Sequence, residues 1–267
     1  MKIKWSNGIF DMSNQTSRKL VNQFGLSRDI PSPIKREVRK RCGFGCVVCG
    51  SFTYQYHHYN PPFRTARFHN PEGIILLCSN CHARVTKGLL SNGTVAKAAN
   101  NPKCLEQGFS HFPLDIGDHF PLIHLGTTTF IGNPTVIKAF GNRLLAIDEP
   151  EEIGGPFRIS AEFYNRKGHE TCRLVENEWQ GFSSNWDITG VGEVITVLSA
   201  SGDIALRLRT ISSNNEFLIE KLNMFYRGFR IILNNKGLTT TYLPDGRMWF
   251  QLGGATFVGN EAAIVLE

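Results

Sequence analysis

Cys46-Val47-Val48-Cys49, Tyr56-His57-His58-Tyr59 and Ile74-Ile75-Leu76-Leu77-Cys78-Ser79-Asn80-Cys81-His82 decide how this chain is read. Two Cys-x-x-Cys pairs bracket a His-His pair, and a third histidine follows the last cysteine directly. Two residues between cysteines let both sulfurs reach one ion. Four thiolates in two such pairs therefore predict a tetrahedral zinc site of structural type at Cys46, Cys49, Cys78 and Cys81. The gap between the pairs is wider than a minimal zinc ribbon needs, and the insert is where the histidines sit.

Outward from the cysteines the local structure can be anticipated. Gly43-Phe44-Gly45-Cys46-Val47-Val48-Cys49-Gly50 reads as a knuckle, with glycines for the tight turn that aims amides at sulfurs. Phe52 to Tyr59 alternates as an aromatic-rich strand that carries His57 and His58 to its end, where Asn60-Pro61-Pro62 breaks it. A loop from Phe63 to Glu72 holds Arg64, Arg67, His69 and Asn70. Ile74 to Leu77 is a short buried strand, and Cys78 to about Lys87 a helix closed by Gly88. Upstream, Ser32-Pro33 reads as an N-cap followed by a proline at the first helical position, which predicts a helix to about Arg41. Ile34 and Val38 share its apolar face. Lys35, Arg36, Arg39 and Lys40 cover most of the rest, either as contacts to phosphates or as a solvated face.

These segments, in this order, resemble the HNH endonuclease family in its zinc-bearing four-cysteine branch, whose fold is two strands and a helix around one catalytic metal. The resemblance covers residues 31–90. It implies that His57 and His82 are ligands of a catalytic divalent ion (Mg²⁺, Mn²⁺, Ni²⁺ or Zn²⁺), separate from the structural Zn²⁺, and that His58 is the general base. With two protein ligands such an ion keeps positions for water and phosphate, and an imidazole near its ordinary pKa suits proton abstraction. The chain departs from the family pattern at Gly73, where the motif has an asparagine that braces the loop. A glycine could hold that turn by its backbone, with Asn70 or His69 supplying the side chain. A zinc module that binds nucleic acid without cutting it remains the alternative.

The rest of the chain has another texture. Residues 1–30 read as an arm, with a short helix over Arg18 to Phe24. Residues 31–103 read as the nuclease-like domain, with a short helix over Thr94 to Ala99, and 104–118 as a linker. From 119 to 267, short apolar runs alternate with turn signals such as Gly132-Asn133-Pro134 and Pro244-Asp245-Gly246, which predicts an all-β domain. Thr129-Phe130-Ile131-Gly132-Asn133 is echoed by Thr256-Phe257-Val258-Gly259-Asn260, as first and last strands of a sandwich or as solenoid rungs would be. The expected class is therefore α+β: a zinc-stabilised N-terminal domain followed by an all-β one.

Charge divides the same way. The net +6 arises from 16 Lys and Arg against 4 Asp and Glu in residues 1–103 (net +12), and 13 against 19 in the remainder (net −6). A basic front half favours DNA as the partner, with RNA also open and with Arg64 and Arg67 as further phosphate contacts. The acidic half is expected to serve oligomerisation, sensing or a regulatory partner, or to bind a ligand with the nuclease as effector. That arrangement suits a bacterial defence nuclease. No run is apolar and long enough for a bilayer span, and no signal-peptide core opens the chain, so a cytoplasmic location is expected. In a reducing compartment Cys42, Cys104 and Cys172 are expected as buried thiols rather than disulfides.

Overall fold

In the computed structural model, residues 21–267 are described. The first twenty residues of the expected arm lie outside the described residues. Residues 21–24, the end of the helix expected there, form a bridge and a turn instead.

Helix α1 (Ser32–Arg41) starts one residue earlier than expected. Ser32 makes no capping bond, and the fixed φ of Pro33 in the first turn is what favours the start. Val38 is its buried residue. Arg39, Lys40 and Arg41 fill the last turn, where the helix dipole favours cations. Strand β1 (Gln55–His58) is shorter than expected and pairs antiparallel with β2 (Ile74–Leu77), so that His57 faces Ile75 and His58 faces Ile74 in register. α2 (Ser79–Thr86), α3 (Asn92–Asn100) and α4 (Lys103–Gln107) follow. α3 is capped by Ser91, whose Oγ accepts from the Thr94 amide at 3.1 Å. All four residues of β2 are buried and, with Ile30, Val38, Val47, Leu90, Val95 and Ala99, make a small core around the cysteines.

The stretch expected as a linker is built into the fold. α4 lies in it, and so does β3 (Phe109–Pro113), which pairs with β10 (Glu178–Phe182) at the edge of a seven-stranded sheet. After β4 (Leu122–Leu125) and β5 (Thr128–Ile131), the same sheet continues through β6 (Thr135–Ala139), β7 (Asn142–Asp148), β8 (Arg158–Tyr164), β9 (Glu170–Val175) and β10. The second sheet is a meander of β11 (Asp187–Val191), β12 (Val194–Ala200), β13 (Asp203–Ile211), β14 (Glu216–Tyr226), β15 (Phe229–Leu233), β16 (Thr239–Tyr242) and β17 (Met248–Leu252). β4 joins it parallel to β14, and β5 pairs β4. One large core lies between the sheets, with Trp179, Phe130, Phe163 and Phe217 fully buried. Mixed α+β content, mostly β, with an all-β C-terminal region, is what the residues build. No helix among the described residues is long and apolar enough to cross a membrane.

The echoed segments lie side by side. β18 (Thr256–Val258) pairs parallel with β5, Thr256 opposite Thr129, and β19 (Ala262–Leu266) pairs parallel with β6, Ala262 opposite Thr135. Phe257 stacks on Phe130 at 5.3 Å and 12°. The Asn133 side-chain amide donates to the Asn260 carbonyl at 3.1 Å, across a sequence separation of 127 that the whole pairing keeps.

The cysteine-bearing segment and the sheets share surfaces. Phe44 and Phe52 belong to the large core, and the Phe52 amide donates to the His111 carbonyl of β3 at 2.7 Å. α1 docks on the turn before β11. The Arg36 guanidinium lies 3.5 Å above the centre of the Trp186 ring. Arg39 binds both carboxylate oxygens of Asp187, at 2.9 and 2.5 Å, and the Tyr56 hydroxyl at 2.8 Å. Lys40 donates to the carbonyls of Ser183 and Asn185. Cys42, Cys104 and Cys172 are buried free thiols, and burial pushes all three thiol pKa values up, that of Cys42 to about 11.

Candidate functional site

The cysteines converge because two backbone turns aim them. After Cys49 the chain reverses at Gly50, whose φ of 84° is a left-handed conformation that side chains disfavour, and the Gly50 amide donates to the Cys46 carbonyl at 2.8 Å. On the other side Cys78 is the N-cap of α2, and its sulfur accepts from the Cys81 amide at 3.4 Å. The sulfurs of Cys46, Cys49, Cys78 and Cys81 lie within 4.8 Å of one another, with Cys49 and Cys78 at 3.6 Å. Burial pushes the Cys49 thiol up to about 11. At Cys78 burial acts in the same direction, yet the Cys81 amide and the neighbouring thiols outweigh it and hold that thiol below its usual value. This donor set can bind a metal ion and suits structural zinc.

The histidines occupy the far end of β1. Adjacent strand residues face opposite sides, and they do so here. The His57 ring meets His82 of α2 edge to face, centroids 5.0 Å apart. His58 turns toward the 60–70 loop, 5.3 Å from the rings of both Phe63 and His69. His57 and His58 both line one cleft of about 210 Å³, together with Tyr59, Pro62, Val85, Asn92 and Val95. Burial, then His69, His57 and Arg28, push the His58 imidazole down to about 4, below the ordinary value expected of the base. Burial and His82 lower His57. Among the described residues the cysteines are the set of three or more side chains whose ligand atoms converge; the three histidines do not close into such a set.

His58 Nε2 is 3.1 Å from His69 Nδ1, so His69 stands beside the expected base. The loop is braced by backbone. The Gly73 carbonyl accepts from the amides of Tyr59 at 3.0 Å and Asn60 at 3.3 Å, while Asn70 Oδ1 caps the single turn Pro71–Gly73 by accepting from the Glu72 amide. A Cβ at position 73 would lie 1.9 Å from the Asn60 carbonyl oxygen, so no side chain fits there with the loop as it stands. Arg41 ties the same turn from behind, donating to the carbonyls of Pro71 and Ile74. Asn22 straps the loop by donating to the carbonyls of Phe63 and Ala66.

The expected phosphate contacts divide. Lys35 pairs with Asp29 at 3.0 Å, and Arg36, Arg39 and Lys40 are engaged with the turn before β11. Arg64 and Arg67 are exposed on the loop beside His58 and His69, with Arg67 over the Phe24 ring. Arg28, over Phe63, reaches the same region and escaped the sequence reading, as did Arg41 and Asn22. Nothing in their local pattern distinguishes them from solvated residues.

No family model, no curated protein and no solved structure matches the chain.

Proposed function

We propose that this protein is a metal-dependent endonuclease of HNH type that hydrolyses DNA phosphodiester bonds with low sequence preference. The observation that carries the reading is the arrangement at the end of β1: His57 paired with His82 on one side, and His58 held by His69 on the other.

The 3.1 Å contact admits either donor, and this reading takes the tautomer in which His58 donates. With Nε2–H of His58 donated to His69 Nδ1, the Nδ1 lone pair of His58 is free to take a proton from a water attacking phosphorus. The imidazolium so formed keeps its hydrogen bond to His69. His69 is a positioning residue in this scheme. His57 and His82 would hold a divalent ion, which supplies charge stabilisation to the phosphoryl and leaving oxygens. Two imidazoles facing one another suit an open site of this kind. The strand and the helix that carry them are anchored by the cysteine cluster, so the structural zinc expected there serves the geometry of the cleft.

DNA would approach the 60–70 loop, where Arg64, Arg67 and Arg28 offer backbone contacts rather than base readout. Such contacts give weak sequence preference and steep salt dependence. Arg36, Arg39 and Lys40 act in this reading as the joint to the β region instead, and Lys35 pairs with Asp29.

The test is plasmid cleavage by the whole protein with Mg²⁺, Mn²⁺ or Ni²⁺, beside His58→Ala. Cleavage reduced ~10²–10⁴-fold in the variant, with zinc content and melting unchanged, supports the reading. Cleavage unaffected by His58→Ala removes it.

A further inference from the structure

The loop beside the cleft is made of arginines and rings. Residues 60–70 hold Arg64, Arg67, Phe63 and Phe68, and no carboxylate. Phe24 and Arg28 of the preceding segment interleave with them. The Arg67 guanidinium lies 4.7 Å from the centre of the Phe24 ring, and that of Arg28 lies 4.7 Å from the centre of Phe63. Phe63 in turn packs on His58, ring centroids 5.3 Å apart, so the loop reaches the proposed base directly.

That loop is held in one shape. Asn22 Nδ2 donates to the carbonyls of Phe63 at 2.7 Å and Ala66 at 2.6 Å. The amides of Thr65 and Ala66 donate to the Pro62 carbonyl at 2.9 and 3.0 Å, and the Ala66 side chain is buried. A surface fixed before its ligand arrives loses little conformational freedom on binding. On this frame Phe68 is 68% exposed and Phe24 48%. Phe63 is engaged by Arg28 and His58, whereas Phe68 has neither a ring nor a guanidinium stacked on it among the described residues.

Arginines alone suffice to hold a duplex, which presents phosphates and groove edges because its base faces are stacked on one another. Exposed rings gain a partner only when a base is unpaired and its face is free to stack. Basic side chains interleaved with aromatic ones are the combination that single strands call for, phosphates to the first and bases to the second.

We propose that this rim selects DNA with unpaired bases. Phe68 and Phe24 stack those bases, Arg64 and Arg67 hold the adjoining phosphates, and the strand so held is delivered to His58. The inference rests on the nuclease reading and adds to it the strandedness of the substrate. It makes Phe68 a specificity-determining residue: it contacts a base next to the cut and takes no part in the proton transfer.

The experiment compares cleavage of three labelled oligonucleotides of one sequence by the whole protein with Mg²⁺, Mn²⁺ or Ni²⁺: the single strand, its full duplex, and a duplex with an internal mismatched bubble. Phe68→Ala and Phe24→Ala are set beside Phe140→Ala, which removes an exposed phenylalanine of the β region. Circular dichroism of each variant shows that it is folded. The expected result is a kcat/KM at least about tenfold higher on the single strand than on the duplex, with cuts in the third substrate confined to the bubble. Phe68→Ala should lower the single-strand value about fivefold or more, leave the duplex value unchanged, and so narrow the preference, while Phe140→Ala changes neither. Equal cutting of single strand and duplex overturns this inference and leaves the nuclease reading standing. So does a preference that both folded rim variants preserve. No cutting of any of the three substrates overturns the nuclease reading itself, and this inference with it.

Discussion

His58 Nε2 and His69 Nδ1 stand 3.1 Å apart, and one proton between them decides which nitrogen of His58 can act. The pair lies at the junction of β1 and the loop that Asn22 and Gly73 hold in place. In the proposed mechanism His69→Ala removes the acceptor that fixes the tautomer but leaves the base. Its expected effect is a fall in kcat of about ten- to a hundredfold with little change in KM, smaller than for His58→Ala. Steady-state cleavage kinetics check it. A His69→Asn variant, which keeps an acceptor near the same place, should recover part of the loss, whereas a purely packing role would give no such recovery.

Gly73 gives a prediction that runs against the family pattern. Introducing the asparagine of the resembled motif by Gly73→Asn should impair the protein, because the Cβ would meet the Asn60 carbonyl oxygen at 1.9 Å. A strained loop of this kind costs about 1–3 kcal/mol. Urea denaturation should show the loss, and cleavage should drop rather than rise. Gly73→Ala should behave the same way, since the clash arises at Cβ.

Asp187 faces Arg39 with both side chains largely withdrawn from water, 6% and 12% exposed. Removing one partner of such a pair leaves a poorly solvated charge, at about 3–5 kcal/mol. Asp187→Ala should therefore lower stability in denaturant by that order. Trp186→Ala, which removes the surface under Arg36, should add to it less than additively, because both act on the same joint. A double-mutant cycle measures the shortfall.

Glu220 accepts from Arg207 at 2.8 Å and Arg209 at 2.7 Å on the second sheet. Burial opposes its ionised form, but the two guanidinium groups outweigh that and hold its pKa below the usual carboxylate value. A carboxylate lowered in the folded state contributes stability that is fully present above its unfolded pKa and is lost as pH falls through the folded one. Glu220→Gln should thus reduce stability at neutral pH and flatten the acid side of the stability curve below about pH 4. Chemical denaturation at a series of pH values reads both effects.

Metal removal tests the cysteine set. One equivalent of zinc per chain is expected by elemental analysis, and Cys78→Ser or a strong chelator should lower the melting temperature and release protection of β3 and β11 to hydrogen exchange. Those strands lie outside the cysteine-bearing segment, so their loss of protection would report the join at Phe52 and His111.

The cysteine cluster was legible because ligand spacing is a local constraint: two residues between sulfurs, twice. The β1–β2–α2 order was legible for the same reason, since Pro61-Pro62 and the buried run Ile74–Leu77 mark their own ends. The role of α1 was not. Its lysines and arginines have one chemistry, and that chemistry serves a phosphate or the Asp187 carboxylate equally well until the partner's position is known. Residues 104–118 read as a connection because β3 is a short edge strand whose hydrogen bonds come from β10, far along the chain. The echo at Thr129 and Thr256 was visible as text, but that the two copies lie side by side and parallel is long-range information. The contact of His69 with His58 is not readable from their spacing, because the two meet only through the loop that Gly73 closes.

The pairing of 128–139 with 255–266 has a bearing on how this architecture can change. Everything between those segments leaves one rung and returns to the same rung. The intervening hairpins amount to a single excursion whose two feet are locked together. Such an excursion can gain or lose a whole hairpin, or accept an inserted sequence in an exposed loop such as 151–154, without altering where its feet stand. The join with the cysteine-bearing segment constrains the strands at one flank only. The β region is therefore a place where length can vary while the cleft at His57 and His58 stays as it is.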